Sequence, residues 1–230
     1  MPRPTVIADI KTLGPHPQRH AIWEIALVRR ENPTDPATDT FHWWQQRPSD
    51  QEHSRADTST LEAALYHQRM RVPPDAQAVD VLIQGGPSPI EPQLLNQAVA
   101  TLLNGVELIG STPHFDPRFL QARLNGTPWH RETDIATLAG GFLLGLAYAH
   151  SRPPAWTSTP DHYSPTHIAV DDWHLPTIAS HLGVPPPAPS AAHTGLGNIT
   201  WARRVIDRIT LPPTLYDTTH PPLWTAPIRS

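Results

Sequence analysis

Residues able to do chemistry fall into small groups along the chain. His16 and His20 stand four apart, and Asp171, Asp172 and His174 cluster, within a total of 14 histidines. Such groups are zinc-ligand material. The first pair lies among prolines in a turn, where helical i, i+4 ligation does not form, and no third ligand has a claim, so polar residues at the surface are the better reading. Asp9 closes an apolar run, Glu24 sits within Ile-Trp-Glu-Ile, and Asp116 follows Phe115. Taken singly, Asp9 at a strand end reads as a turn or cap residue, and His193 at a helix start as a cap or core residue. Glu24 reads as facing the opposite side or joining an ion pair rather than as a metal ligand. Lys11 is the chain's one lysine. Arg118, Arg123, Arg203 and Arg204 could line a phosphate track, although arginine on a helix surface is usually just solvated. The eight tryptophans could stack on bases, but Trp43-Trp44 on a strand puts one ring on each face, so at least one belongs to the core.

The elements that must position these residues follow from periodicity. Thr5–Asp9, Ile22–Val28 and Thr40–Gln46 read as strands, separated by Gly14-Pro15-His16-Pro17 and by the Asn32-to-Asp39 stretch, and as mostly antiparallel. Asp57-Thr58-Ser59 caps a helix ending near Arg69 before Pro73-Pro74. From Glu91, Leu94, Leu95, Ala98 and Leu102 share a helical face that stops at Asn104-Gly105 before a strand over 106–110. Asp116-Pro117 opens a further helix, and Asp134 caps a long apolar one to about Ala149. Residues 150–170 form a Pro-rich loop, Asp172–His181 and His193–Ile209 are closing helices, and 210–230 is an irregular tail. Strands first, then helices alternating with short strands, describe a mixed sheet with helices on its faces.

The 230 residues suit one domain, here 1–209, rather than two. No apolar stretch reaches transmembrane length and no signal-peptide pattern opens the sequence, so a cytoplasmic protein without a membrane partner is expected. The absence of cysteine excludes a disulfide framework and a thiolate zinc site. A formal charge of −4 excludes a protein that coats nucleic acid through a pervasive positive field, and leaves room for a local groove.

Three segments carry a resemblance. Thr5-Val6-Ile7-Ala8-Asp9-Ile10-Lys11-Thr12 resembles an Asp-x-Glu-Thr strand, with Lys11 in place of Glu. Leu108-Ile109-Gly110 leading to Thr112-Pro113-His114-Phe115-Asp116 resembles a strand followed by Asn-x-x-Phe-Asp, with Thr112 in place of Asn. His193-Thr194-Gly195-Leu196-Gly197-Asn198 resembles His-x-Ala-x-x-Asp, with Asn198 in place of Asp. Found in this order, the three are similar to the motifs of the DEDD-type 3′–5′ exonucleases, in the His-containing (DnaQ-like) branch and its bacterial and phage members. Segments at 43–48, 56–69 and 129–139 extend the likeness.

The resemblance implies an RNase H-like α/β fold, a mixed five-stranded sheet with helices on both faces. It also implies a metal-dependent phosphodiester hydrolase using Mg²⁺ or Mn²⁺, in which two ions roughly 3.5–4 Å apart clamp the scissile phosphate. On that pattern Asp9 bridges both ions, Asp116 supports the second, positions 11 and 198 complete the first, and His193 is the general base. Thr12, Lys11 and Phe115 fall at substrate-contacting positions, with Phe115 packing on a terminal base. Lys11 and Asn198 occupy two lost ligand positions, so the first ion site is expected to be badly weakened, since magnesium prefers charged oxygen ligands. Two readings of Lys11 stay open. Its ammonium lies between Asp9 and Asp116 in place of an ion, or it points to solvent. Three functions follow as alternatives: an exonuclease acting on the 3′ ends of single-stranded DNA or RNA, a pseudo-exonuclease that binds without cleaving, and a protein-interaction scaffold. Metal binding, metal-independent strand binding, or neither would separate them.

Overall fold

The computed structural model describes residues 3–64, 66–69, 83–86, 92–110, 115–151, 174–189 and 191–211. Thr112, most of the 150–170 loop, Asp171, Asp172 and nearly all of the tail lie outside these residues.

Strand β1 (Thr5–Thr12) and β2 (Ile22–Arg30) alternate β-branched and apolar side chains and pair antiparallel. Strand β3 (Asp39–Gln45) pairs antiparallel with β2. Three short helices follow, α1 (Asp50–His53), α2 (Thr58–Ala63) and α3 (Tyr66–Arg69). Asp57 caps α2 as expected, accepting from Thr60 N–H. Strand β4 (Ile83–Gly86), α4 (Pro92–Leu103), β5 (Glu107–Gly110), α5 (Phe115–Leu124) and β6 (Arg131–Asp134) come next. The long α6 (Ile135–Ser151), then α7 (Leu175–His181) and α8 (Gly195–Thr210) close the described chain. Asp134 caps α6 by accepting from Thr137 N–H at 2.8 Å.

The sheet order is β4-β3-β2-β1-β5-β6, with β5 parallel to β1 and β6 parallel to β5. The central β3-β2-β1-β5-β6 set is the expected five-stranded mixed sheet, and β4 adds a sixth, parallel strand beyond β3. Parallel neighbours need crossovers, and α5 supplies the one from β5 to β6.

Strand alternation divides the core into two layers. Ile7, Ala26, Val28 and Trp43 face α6, α7 and α8, where Leu143, Ile178, Leu196 and Ile199 meet them. Val6, Ala8, Ile10 and Trp44 face α4 and α5 through Leu95, Val99, Phe119 and Leu120. Trp43 and Trp44 therefore both belong to the core, one to each side. Among the described residues no helix is long and apolar enough to cross a membrane.

A buried ionic network ties α8 to the sheet. Arg30, at the end of β2, donates to both oxygens of Asp39 at 2.6 and 2.9 Å, and its Nη1 lies 2.7 Å from Asp207 on α8. Arg203, also on α8, donates to Asp39. Burial works against the Arg30 charge, yet the bonds to Asp39 and Asp207 hold its guanidinium above the ordinary value. Arg203 is therefore committed to the fold. Arg123 is too, donating to Asn96 and Gln46, each at 2.7 Å. Neither is free for a phosphate track.

Candidate functional site

The end of β1 carries Asp9 and Lys11 on the face that α8 covers, because side chains two apart on a strand point the same way. A register shift between Lys11 and Thr12 marks a bulge at this end of the β1–β2 pair. Trp23 is fully buried there, and its Nε1 donates to Thr12 O at 3.2 Å. Asp116 arrives from the opposite layer at the start of α5, its Oδ1 accepting from Ile10 N–H at 3.3 Å. Asn198 lies in the first turn of α8. The residues that the motifs nominate at 9, 11, 116 and 198 thus meet at the end of the interior strand β1.

Both oxygens of Asp9 face nitrogen donors. Asn198 Nδ2 donates to Oδ1 at 3.0 Å, and Lys11 Nζ lies 2.7 Å from Oδ2, which has no other donor among the described residues. Lys11 does not point to solvent, with 15% of its side chain exposed, but it pairs with Asp9 alone: among the described residues no ion pair joins it to Asp116. Asp116 is buried and its Oδ2 meets no donor among the described residues. Burial, followed by the negative charge of Asp9, pushes the Asp116 carboxyl well above the usual carboxylate range. Lys11 and the Ile10 N–H pull partly the other way.

This raised value sets a sign. Below about pH 4 the Asp116 carboxyl is protonated in folded and unfolded chains alike. As pH rises through the unfolded value the unfolded chain loses its proton first, so Asp116 costs stability increasingly until the folded value is passed. Asp116→Asn is expected to stabilise the fold at neutral pH by on the order of 1 kcal/mol, with the gain vanishing toward pH 4. Urea unfolding across a pH series measures this, and a gain independent of pH would contradict it.

Of the two expectations for Glu24, the one that turned it to the face opposite Asp9 does not hold. Glu24 is the Cα partner of Lys11, lies on the same face as Asp9, and is fully buried. Its Oε1 accepts from Trp43 Nε1 at 2.8 Å and from Gly195 N–H at 3.1 Å, so it anchors the positive end of α8 to β2. Gly195 allows this approach, since a Cβ there would lie 2.9 Å from the Ala26 Cβ and 3.1 Å from the Glu24 carboxyl carbon. The small residue at 195 within the last motif is the one sequence signal for that anchor.

His193 precedes α8 rather than belonging to it. It is exposed and has left-handed backbone, φ 65°. Thr194 is the N-cap, accepting from Gly197 N–H at 2.8 Å while its hydroxyl donates to Ala191 O at 2.7 Å. A left-handed histidine is uncommon, and such backbone strain clusters at functional positions. Thr12 is buried, and its hydroxyl donates to Gly14 O at 2.8 Å, closing the turn after β1. Phe115 is half-buried, with its ring 4.9 Å from that of Phe119. The His16–His20 pair is turn architecture, His20 Nδ1 accepting from His16 N–H and Nε2 lying 3.1 Å from Arg55 O.

The donor set does not fit a pair of divalent ions. Such ions need several anionic oxygens, whereas here Asp9 is covered by an amide and an ammonium, and Asp116 Oδ1 already accepts from Ile10 N–H. Among the described residues no group of three or more ligating side chains is poised for a metal.

No protein-family model and no curated protein matches the sequence. Solved structures do match. A zinc-bound complex of Escherichia coli exonuclease I with single-stranded DNA aligns with a TM-score of 0.54 at 12% identity, covering 93% of this chain and 41% of that one. A structure of exonuclease I described for how processivity is achieved aligns at 0.53 and 12%, covering 90% and 41%. The chain thus spans about two-fifths of the length of the structures it matches, and what it shares with them is the exonuclease I fold.

Proposed function

We propose that this chain holds the 3′ end of single-stranded DNA or RNA on an exonuclease-type site without cutting it. The observation that carries this reading is the pair of nitrogen donors on Asp9, Lys11 at 2.7 Å and Asn198 at 3.0 Å, at the positions where the motif pattern expects metal-binding acids. In the two-ion reaction the metals generate the hydroxide and stabilise the leaving oxygen. Both oxygens of Asp9 already hold a nitrogen donor, one of them cationic, so catalysis is impaired while the scaffold persists.

Other features support retention of a strand end. His193, exposed and left-handed just before α8, supports the reading as an imidazole close in sequence to Asn198. Phe115 presents a partly exposed ring at the start of α5, where a terminal base can stack. One of the solved structures that this chain resembles in fold is a complex with single-stranded DNA.

The test is fluorescence anisotropy of a labelled single-stranded oligonucleotide in EDTA, competed with linear and with circular single strands. Binding displaced by linear strands and poorly by circular ones is expected. Equal competition would remove end recognition, and no binding would remove the nucleic-acid reading altogether.

A further inference from the structure

We infer that Lys11 is a tethered cation standing where a divalent ion would sit, and that Lys11, rather than the change at 198, keeps metal out. The inference rests on reading this cluster as a converted exonuclease site, and it assigns the conversion to one residue.

Two carboxyl groups meet at the end of β1, Asp9 and Asp116, and the fully buried Glu24 is the Cα partner of Lys11 on the next strand. The Lys11 ammonium lies 2.7 Å from Asp9 Oδ2. A divalent ion approaching that oxygen would meet a positive charge a few ångströms away in a poorly solvated pocket, where repulsion is strong. Lys11 cannot become a ligand without losing its proton, and its three N–H groups offer no acceptor.

Asn198 is a different kind of obstacle. Its amide now donates to Asp9 Oδ1, but half a turn about the terminal torsion presents a carbonyl oxygen, which hard cations accept as a ligand. The amide therefore lowers affinity without forbidding the ion. Asp116 Oδ2, buried and without a donor among the described residues, is a further oxygen already in place. Removing the Lys11 charge alone should open a site for one ion between Asp9 and Asp116, whereas restoring the acid at 198 alone should not.

Mn²⁺ binding to the full chain, followed by the loss of free-ion paramagnetic signal, tests this on the unaltered protein, Lys11→Met, Lys11→Gln and Asn198→Asp. Lys11→Gln keeps an amide donor for Asp9 and covers the case in which Lys11→Met does not fold. The expected outcome is no saturable binding by the unaltered protein or by Asn198→Asp, and one ion bound at least about tenfold more tightly by the Lys11 variants, with their melting temperature raised by Mn²⁺. Tight binding by the unaltered protein would overturn the proposal. So would a gain from Asn198→Asp equal to that of the Lys11 variants, or folded Lys11 variants that bind no ion. Strand binding plays no part in this readout, so its failure and a failure here are separate results.

Discussion

Replacing Lys11 with Glu and Asn198 with Asp together is expected to create mononucleotide release from single-stranded 3′ ends, at least about 10²-fold above the unaltered protein in Mn²⁺. The backbone needs no rearrangement for this, because Asn198 already reaches Asp9 at 3.0 Å and Asp116 already accepts from the Ile10 amide beside it. The same change removes the positive charge that stabilises the cluster. Acids at 9, 11, 116 and 198 would then converge near the buried Glu24, and without metal the variant should lose roughly 3–5 kcal/mol of stability, as when one partner of a buried ion pair is deleted. Mn²⁺ should restore most of that loss by binding only the folded form. His193→Ala in the reverted background is expected to lower release by about 10²-fold or more if the imidazole takes the water's proton. Release measured on a 3′-labelled strand, with melting curves in EDTA and in Mn²⁺, reads both halves of the prediction.

Asp39→Ala is expected to cost roughly 3–5 kcal/mol, because it leaves Arg30 buried with half of its ionic partners gone. Arg30 is 4% exposed and makes two bonds to Asp39, and Arg203 from α8 uses the same carboxylate. Asp207 remains beside both guanidiniums but brings one charge against two. Adding Arg30→Met should make the double variant less unstable than the sum of the two single changes, since each single change strands a partner that the other removes. Urea unfolding of the four proteins measures the coupling. α8 carries Asn198, so loosening it should also weaken the Asn198–Asp9 contact at the far end of the sheet.

The sheet was legible where side chains alternate. β1, β2, β3 and β5 carry β-branched or aromatic residues on buried faces, and their positions follow from the sequence within a few residues. β6 did not follow, because Arg131-Glu132-Thr133-Asp134 is polar and largely exposed, a strand defined by its pairing with β5 rather than by burial. β4 has Gly85-Gly86 as half its length and no pattern to read. The last helix was placed two residues early, since Thr194 rather than His193 caps it.

At the site, the order of the three motifs foretold that Asp9, Asp116 and Asn198 would meet. The direction of the Lys11 side chain was not readable, because a lysine beside two acids and a solvated lysine have the same local sequence. For Glu24 the sequence leaves open the opposite face or an ion pair; its place on the Asp9 face follows from the pairing of Lys11 with Glu24, a register that the sequence does not carry. Arg123 and Arg203 find their hydrogen-bond partners 27 to 164 residues away, a separation at which spacing carries no information.

The most direct test of a holding site that does not cut is release of mononucleotides by the unaltered protein from a 3′-labelled single strand in Mg²⁺ or Mn²⁺, beside His193→Ala. No release from either protein, with the strand still bound in EDTA, is the expected result. Release by the unaltered protein that disappears in His193→Ala would show that the chain cuts despite Lys11 and Asn198, and would contradict the account at its centre.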